Sequence, residues 1–410
     1  MRPKFGGTLR MKLPLALSEL DPHLLDDPAA ALFAPAVFDT LFALDANGKA
    51  FPALAAALPE DHADGARVKL RPGLKTALGR PLSTKDIVFA LERSSRHGGA
   101  AWLSRLPLPK TDTKLPDTVI FPGTKAAGLG ELLASPITAI VPRGFNRLRP
   151  DGTGAFRAMP SAEGMHLTRN ENAARGPALL QTIRVQEAHD LADALRAFET
   201  GEVDVGWLGK GLHRPRTDAK TFEAGHLGWV VLHSGTQALA WGRPGVTQRL
   251  LDELPLERFR HLGLRGPSPA STRSAWGGPS GQILVDGSCP QLVEIAASLA
   301  ALLSRPDHEL SAAPLPRQEL RARRRSKQFL LMLDFVRRFS PSAKGTVDAL
   351  YAAADPALAK NPPKLLSDAR TIARTLTLGV VGELHGYGAY APSLVNLERW
   401  DLPDAWLNPD

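Results

Sequence analysis

Residues 151–176 read DGTGAFRAMPSAEGMHLTRNENAARG, and this stretch carries the strongest information about the fold. Gly152 and Gly154 flank a threonine, and glycine permits backbone conformations that are closed to other residues. The strand-like residues 155–159 and 165–168 follow, separated by a turn that contains a further glycine. The pattern predicts a β-hairpin that begins directly after a tight passage of the backbone.

Strands and helices alternate on both sides of this hairpin. Residues 182–185 and 203–208 are strand-like, and the apolar spacing between them predicts a helix capped by Asp190. A strand, a helix and a strand in so short a span indicate a crossover and a mainly parallel sheet. Residues 137–141 and 328–333 are further predicted strands. Because the hairpin lies between two such regions, we expect an α/β protein of two lobes with a ligand cleft between them.

The composition is that of a globular chain with a basic surface. Of the 410 residues, 43% are hydrophobic and 22% are charged, and the formal net charge is +8. This excess indicates a solvated positive surface or attraction to an anionic partner. The densest basic run, RARRRSK at residues 321–327, has no interleaved aromatic residues. We interpret it as the exposed face of a helix, and we expect no nucleic acid among the partners.

The motifs of common catalytic and metal sites are absent from the sequence. There is no Walker loop, GxSxG elbow, HExxH or CxxC, and the 11 histidines lack the spacing of metal ligands. The single cysteine, Cys289, excludes an internal disulfide and adjoins Pro290 at a predicted helix start, where Ser288 and Gln291 form a capping box. We expect a binding protein rather than an enzyme, with no metal and no cofactor.

No apolar run of the sequence reaches the length of a membrane span. The best candidate, residues 30–44, is interrupted by Pro35 and Asp39. The first ten residues, MRPKFGGTLR, lead straight into a strand pattern without a signal peptide. The protein is therefore expected to be cytosolic, or to have lost a leader peptide.

The chain carries a series of motifs in a fixed order: GGTLRM (6–11), ELDPH (19–23), VFDTLFALDANGKAFPALAAALPE (37–60), VKLRPGLKTALGRPLSTKDIVFALERS (68–94), GTGAFRAMPSAEGMHLTRN (152–170), LRAFETGEVDVGW (195–207) and LGWVVLH (227–233). In this order they resemble the solute-binding proteins of peptide-type ABC transporters, the family that includes oligopeptide-, dipeptide- and nickel-binding proteins. The hairpin stretch is similar to the family segment that returns the chain from a side subdomain to the main lobe.

The resemblance implies the two-lobed periplasmic binding protein fold, class II-like, with an extra side subdomain in the first lobe. The first lobe is expected to comprise residues 1–44, 155–235 and 384–410, with residues 45–154 as its side subdomain. The second lobe is expected to comprise residues 236–383. Closure of the lobes around a ligand is the working motion that this fold implies.

The resemblance also implies a ligand site, whose candidate residues are Glu19, Asp21, Trp207, Trp229, His233, Phe335, Arg337 and Arg338. The two acids lie in the first ligand-side loop. The two tryptophans follow strands that border the cleft, where they would stack on a ligand or pack in the core. The histidine lies where the chain enters the hinge.

One segment departs from the family pattern. Peptide-binding members carry a Trp and then an Asp that holds the free amine of the ligand, whereas residues 329–345 read FLLMLDFVRRFSPSAKG. Phe335 falls near the Trp, and Arg337 and Arg338 fall near the Asp. An arginine pairs with a carboxylate or a phosphate and not with an ammonium. We therefore expect a ligand that presents an acid group or no charge here, unless both arginines are surface residues.

The function that the resemblance implies is extracytoplasmic capture of a small peptide-like or anionic ligand and its delivery to the permease subunits of an ABC transporter. We expect a monomer, located in the periplasm after removal of a leader peptide. The alternative is a degenerate family member that acts as a ligand-sensing or protein-interaction subunit without transport. That alternative arises because the chain is shorter than typical members, mostly in the second lobe.

Overall fold

The computed structural model describes residues 5–208, 216, 218–267, 276–363 and 367–408, which form a mixed α/β protein around one large curled sheet. Its strands are β1 (Thr8–Leu13), β2 (Phe42–Leu44), β3 (Ala50–Pro52), β4 (Glu60–His62), β5 (Gly65–Lys69), β6 (Lys110–Thr111), β7 (Thr118–Pro122), β8 (Phe156–Ser161), β9 (Gly164–Arg169), β10 (Thr182–Glu187), β11 (Val205–Trp207), β12 (Lys220–Ser234), β13 (Leu264–Arg265), β14 (Gly281–Asp286), β15 (Leu310–Leu315), β16 (Leu331–Arg337), β17 (Leu378–Tyr390), β18 (Leu394–Val395) and β19 (Trp406–Leu407). Its helices are α1 (Pro28–Val37), α2 (Thr84–Arg96), α3 (Ala100–Leu103), α4 (Leu129–Leu133), α5 (Leu191–Glu199), α6 (Val246–Asp252), α7 (Pro290–Leu303), α8 (Arg317–Ser326), α9 (Ala343–Ala354), α10 (Pro356–Ala359) and α11 (Ala369–Ala373).

A mixed sheet runs through the molecule in the order β15-β14-β16-β12-β17-β11-β1-β10-β9-β8, with β13 paired to β17. Strand β1 is parallel to β10 and β11, and β14 is parallel to β15 and β16. Parallel neighbours need a crossover, and α5 and α7 supply one in each half. A smaller antiparallel sheet, β4-β5-β7-β6, forms beside the main one.

Two long antiparallel strands, β12 and β17, connect the two halves of the main sheet. Strand β12 pairs with β16 over Gly228–Ser234. Strand β17 pairs with β11 through its last three residues, 388–390. Three register shifts interrupt the ladder between β12 and β17, all within residues 223–231 of β12. Such irregularities bend a strand and increase its twist, so the sheet curls where the two halves meet.

The hairpin predicted from residues 151–176 is confirmed as β8 and β9. A Cβ atom at Gly152 would lie 2.1 Å from the backbone oxygen of Val37, and one at Gly154 would lie 2.6 Å from the carbonyl carbon of that residue. Between them, the Thr153 hydroxyl donates to the Asp39 carboxylate at 2.9 Å. The glycines therefore allow the chain to pass directly against the end of α1, which fixes the hairpin to the helix.

The core of the molecule is built from the apolar faces that the sequence predicts. Helix α7 buries Leu292, Ile295 and Leu299 on one side, and Cys289 is buried at its start. Burial raises the pKa of the Cys289 thiol to about 12. No helix within the described ranges has both the length and the apolar character needed to cross a membrane.

Three local predictions from the sequence are wrong. Residues 137–141 do not form a strand, because Pro136 starts a 3₁₀ turn over Pro136–Thr138. Ser288 does not cap α7, because its hydroxyl donates to Asp286 at 2.6 Å. The strand expected at residues 328–333 begins at Leu331 and continues to Arg337.

The basic run at residues 321–327 is only partly the exposed helix face that was predicted. It lies at the end of α8, and Arg323 and Arg325 are exposed. Arg321 and Arg324 turn inward and are largely buried among acidic side chains. Together with Arg317 they occupy positions i, i+4 and i+7, which share one face of a helix.

Candidate functional site

Arg337, the last residue of β16, is a buried cation without a carboxylate partner among the described residues. The residue is 2% exposed, and its Nη1 donates to the carbonyl oxygen of Pro22 at 2.8 Å. Its backbone N–H donates to Leu25 at 2.8 Å, which fixes the strand end to the loop before α1. Burial lowers the pKa of Arg337 to about 10, against the opposing effect of the Asp27 and Asp21 carboxylates. A guanidinium held in this way favours the binding of an anion.

Arg337 lines a cavity of about 280 Å³, which we call the apolar cavity. Its walls are formed by Ala34, Pro35, Phe38, Asp39, Thr40, Ala43, Leu44, Ala53, Ala134, Pro136, Ala139, Arg175, Arg337 and Pro341. These residues come from α1 and the turn after it, from the region between β3 and the 3₁₀ turn, and from the segment after β16. The cavity thus lies where distant parts of the chain meet, and most of its wall is hydrocarbon.

A second cavity of about 660 Å³, the polar cavity, lies beside the loop of residues 19–27. It is lined by Asp21, Leu24, Arg93, His97, Gly144, Phe145, Asn146, Arg147 and Arg321. Three of these side chains are guanidinium groups and one is a carboxylate. The electrostatic potential of this cavity is therefore set mainly by arginine.

Asp21 and Arg93 form a two-point ion pair at the wall of the polar cavity. The Nη1–Oδ1 and Nη2–Oδ2 distances are 2.9 and 2.5 Å. Burial acts to raise the pKa of Asp21, but the hydrogen bond and charge of Arg93 hold it below the ordinary value. The neighbouring His23 is buried, and burial lowers its pKa to about 4. Its Nε2 therefore donates to the Ala139 oxygen at 2.8 Å, and its Nδ1 accepts from Arg93 at 2.8 Å.

A cluster of buried charges, which we call the ion cluster, joins the loop of residues 19–27 to α8, β14 and β16. Its members are Glu19, Asp26, Asp27, Asp286, Arg317, Arg321, Arg324 and Asp334. Arg317 contacts Asp286 at 2.7 Å, Asp27 at 3.6 Å and Glu19 at 3.5 Å. Arg321 contacts Asp26 at 2.9 Å, and Arg324 contacts Asp334 at 2.6 Å. The sequence pattern that reveals this cluster is the i, i+4, i+7 spacing of the arginines.

Two carboxylates of the ion cluster have raised pKa values, and one of them has an oxygen without a hydrogen-bond partner. Burial raises the pKa of Asp27 to about 6, and its Oδ2 has no hydrogen-bond partner. Burial also raises the pKa of Asp334 to about 6, against the opposing charge of Arg324. We therefore expect the contact between the loop and α8 to depend on pH.

Three of the candidate residues from the sequence lie at these features. Glu19 belongs to the ion cluster and also pairs with Arg147 at 2.8 Å, Asp21 lines the polar cavity, and Arg337 lines the apolar cavity. Arg338 lines neither cavity and donates from Nε to the Ser340 oxygen at 3.3 Å. The structure thus separates two adjacent arginines that the sequence could not distinguish.

The other four candidates are packed in the interior and line neither cavity. Trp207 donates to Gln291 at 3.2 Å and packs edge-on against Trp400. Trp229 packs edge-on against His226, and Phe335 is fully buried in the main core. His233 lies 3.9 Å from Asp334, and burial lowers its pKa well below the ordinary value.

Sequence reasoning did not identify Arg93, Arg147, Arg175 and Arg321 as cavity residues. Each of them belongs to a segment far from the others in sequence, so no local pattern indicates that they converge. Within the described part of the chain, no group of three or more His, Cys, Asp or Glu side chains is arranged to hold a metal ion.

Both a protein-family model and solved structures of other proteins match this chain. Residues 49–222 match the model of the bacterial extracellular solute-binding proteins, family 5 middle region. The search of curated proteins gave no match. This match covers the motifs at residues 68–94, 152–170 and 195–207 and part of the motif at residues 37–60, and the resemblance is confirmed over that region.

Solved structures with the same fold extend over nearly the whole chain. The oligopeptide-binding protein AppA from Bacillus subtilis, in complex with a nonapeptide, is 15% identical with a TM-score of 0.71, covering 99% of this chain and 100% of its own. A dipeptide-binding protein from a Pseudoalteromonas species, in complex with Met-Leu, is 13% identical with a TM-score of 0.73, covering 98% and 100%. NikA from Staphylococcus aureus, in complex with Ni(L-His)2, is 14% identical with a TM-score of 0.69, covering 95% and 96%.

Proposed function

Because the chain carries the family 5 match and the two-lobed fold of these solute-binding proteins, we propose that it captures a small peptide-like or anionic ligand between its lobes for an ABC transporter. The observation that supports this best is the apolar cavity with the unpaired Arg337 at its wall. Ligand sites are concave and mostly apolar, with a few polar groups that orient the ligand. The apolar cavity has these properties.

We further propose that the first lobe comprises residues 1–44, 155–235 and 384–410, with residues 45–154 as its side subdomain, and that residues 236–383 form the second lobe. On this division the apolar cavity takes its wall from the first lobe, the side subdomain and the second lobe. Opening of the lobes would then expose Arg337 and the apolar wall to solvent, and closure would enclose a ligand.

The proposed partners are the ligand and the permease subunits of an ABC transporter in the membrane. We propose that the binding protein acts as a monomer, because the proposed ligand site lies between the lobes of a single chain. An extracytoplasmic location, after removal of a leader peptide, agrees with the family description. The structural relatives named above are binding proteins, and we propose binding without catalysis for this chain.

The alternative of a degenerate subunit without a ligand is not favoured. A binding protein that had lost its site would be expected to fill the space between its lobes with side chains. Here the apolar cavity persists, and a charged side chain within it remains without a carboxylate. Such a charge is costly unless something binds it.

A ligand screen combined with small-angle scattering tests the proposal. Pools of short peptides and of small organic acids are screened for an increase in melting temperature, and each hit is measured by calorimetry. The saturated complex should have a smaller radius of gyration than the ligand-free protein. The variant Ala134→Phe, which narrows the apolar cavity, should lose binding, and Ala352→Phe on α9 should retain it. Saturable binding without compaction, or binding that survives Ala134→Phe, would refute capture in this cavity.

A further inference from the structure

We propose that the ligand is a compact monocarboxylic acid with an apolar body, whose carboxylate binds Arg337 and whose body fills the apolar cavity. The inference rests on the proposed function, because it names the ligand class of the same cleft. It follows from three properties of the cavity: a guanidinium that makes one hydrogen bond among the described residues, an excess of positive charge in the lining, and a hydrocarbon wall that encloses a small volume.

The first property is the hydrogen-bonding capacity that remains at Arg337. A guanidinium has five N–H donors, and among the described residues this side chain makes one hydrogen bond, to Pro22. The two acids whose charges act on Arg337 face other arginines: Asp21 pairs with Arg93, and Asp27 lies 3.6 Å from Arg317. A carboxylate accepts two parallel hydrogen bonds from one guanidinium, so a ligand acid would satisfy the donors that the protein leaves free.

The second property is the charge of the lining. The apolar cavity is lined by two guanidinium groups, Arg175 and Arg337, and by one carboxylate, Asp39. Asp39 already accepts a hydrogen bond from Thr153 at 2.9 Å. The lining thus carries one formal positive charge in excess, which a single ligand carboxylate would balance. An ammonium group would add a further positive charge in a low-dielectric space and would be repelled.

The third property is the shape and chemistry of the wall. The remaining lining consists of alanine, proline, phenylalanine, leucine and one threonine, so beyond the two arginines and Asp39 it offers few groups to the peptide units of an extended ligand. The volume of about 280 Å³ lies just below the range for small-molecule pockets, about 300–1,000 Å³. An acid with a short alkyl or aryl body fits these limits better than an oligopeptide does.

The experiment compares matched head groups on one body. Calorimetry on the wild-type protein uses hexanoate, hexanamide and hexylamine, and then phenylacetate against phenylacetamide. The acid should bind at least about tenfold more tightly than its amide, because a hydrogen bond between charged groups is replaced by one to a neutral group. Hexylamine should not bind. These measurements need no variant, so they test the inference even if substitutions at Arg337 prevent folding.

Substitution then assigns the effect to one residue. Arg337→Gln should abolish the preference for the acid over the amide, whereas Arg338→Gln should retain it, because Arg338 lies outside the lining. Melting temperatures of both variants show whether they are folded. Equal affinity for acid, amide and amine, or an acid preference that survives Arg337→Gln, overturns the inference.

The outcomes also separate this inference from the proposed function. If unmodified peptides bind and compact the protein while no acid from butyrate to decanoate does so, capture between lobes stands and the monocarboxylate class is wrong. If neither peptides nor acids bind, the proposed function itself fails.

Discussion

Arg321 and Asp26, 295 positions apart in the sequence, form a two-point ion pair with N–O distances of 3.0 and 2.9 Å. Arg321 lies on α8 and Asp26 lies in the loop before α1, so the pair joins the proposed second lobe to the first. Arg317 reaches Asp27 and Glu19 from the same helix face. These ion pairs therefore link the two proposed lobes at a place where a ligand-free cleft would be expected to open.

Removal of this contact should loosen the ligand-free protein. In Arg321→Gln the Asp26 carboxylate loses its partner in a largely buried position, which should cost roughly 1–3 kcal/mol of unfolding free energy. The radius of gyration without ligand should increase. Arg323→Gln is the matched control, because Arg323 is exposed and pairs with Glu319 of the same helix at 3.6 Å. Equal radii for both variants and the wild type would show that the ion cluster does not hold the lobes closed.

Substitution by glutamine should have different effects on the unfolding free energy at two arginines, Arg337 and Arg324. Arg337→Gln removes a charge that lacks a carboxylate, and the unfolding free energy of the ligand-free protein should stay equal or rise. Arg324→Gln strands the Asp334 carboxylate, which lies 2.6 Å from Arg324, and should destabilise by about 3 kcal/mol. Urea unfolding of both variants measures the difference. A large loss of stability in Arg337→Gln would mean that Arg337 contributes more to folding than to binding.

Asp27 should make stability fall as the pH rises. Its pKa is raised from 3.8 to about 6 in the folded protein, with Arg317, Asp26 and Glu19 as its charged neighbours. Between these pH values the folded state holds a proton that the unfolded state has released. The contribution of Asp27 to the free energy of unfolding is thus complete below pH 4 and is lost as the pH rises through 6. Asp27→Asn removes it, so the stability of the variant relative to wild type should improve by about 1–3 kcal/mol from pH 4 to pH 7.

A matched control exists for this pH effect at another helix start. Asp355 caps α10 as Asp27 caps α1, but its pKa is lowered by a hydrogen bond from Lys327 at 2.7 Å. Its stability contribution is present at neutral pH and is lost as the pH falls. The stability of Asp355→Asn relative to wild type, measured by urea unfolding, should therefore fall slightly from pH 4 to pH 7, which is opposite to the change expected for Asp27→Asn. Parallel pH profiles for wild type and Asp27→Asn would contradict the assignment to Asp27.

Gly154→Ala should destabilise the protein by about 1–3 kcal/mol, because the new methyl group would lie 2.6 Å from the backbone carbonyl carbon of Val37. Neither backbone segment can move without shifting α1 or the hairpin. Gly281→Ala is the control, since its Cβ would meet only the flexible end of the Leu330 side chain, at 2.7 Å. The melting temperatures of the two variants are compared by thermal unfolding. Equal values would show that residues 152–154 are not tightly packed against the end of α1.

The sequence predicted the elements that local chemistry determines. The hairpin follows from its glycines and alternation, and the crossover through α5 follows from the Asp190 cap, which accepts from Asp193 at 2.7 Å. Each of these features depends on residues that are close together in the chain.

The features that the sequence did not predict depend on distant partners. Trp207 is packed by Trp400 and Phe222, and no pattern near residue 207 indicates that contact. The composition of the basic run does not indicate the inward face of α8, which depends on the helical spacing of Arg317, Arg321 and Arg324 and on acidic partners from distant segments. Arg175 and Arg337 meet at one cavity only through the tertiary fold.

The central position of β17 has a consequence for how the protein is made. This strand, residues 378–390, lies between β12 and β11 in the main sheet, although it is synthesised long after both of them. Translation proceeds at about 5–20 residues per second, so both neighbouring strands exist for many seconds before their partner emerges. Until then each has an unpaired edge of the kind that promotes aggregation. A nascent chain of this protein should therefore need protection by chaperones until synthesis has passed residue 390.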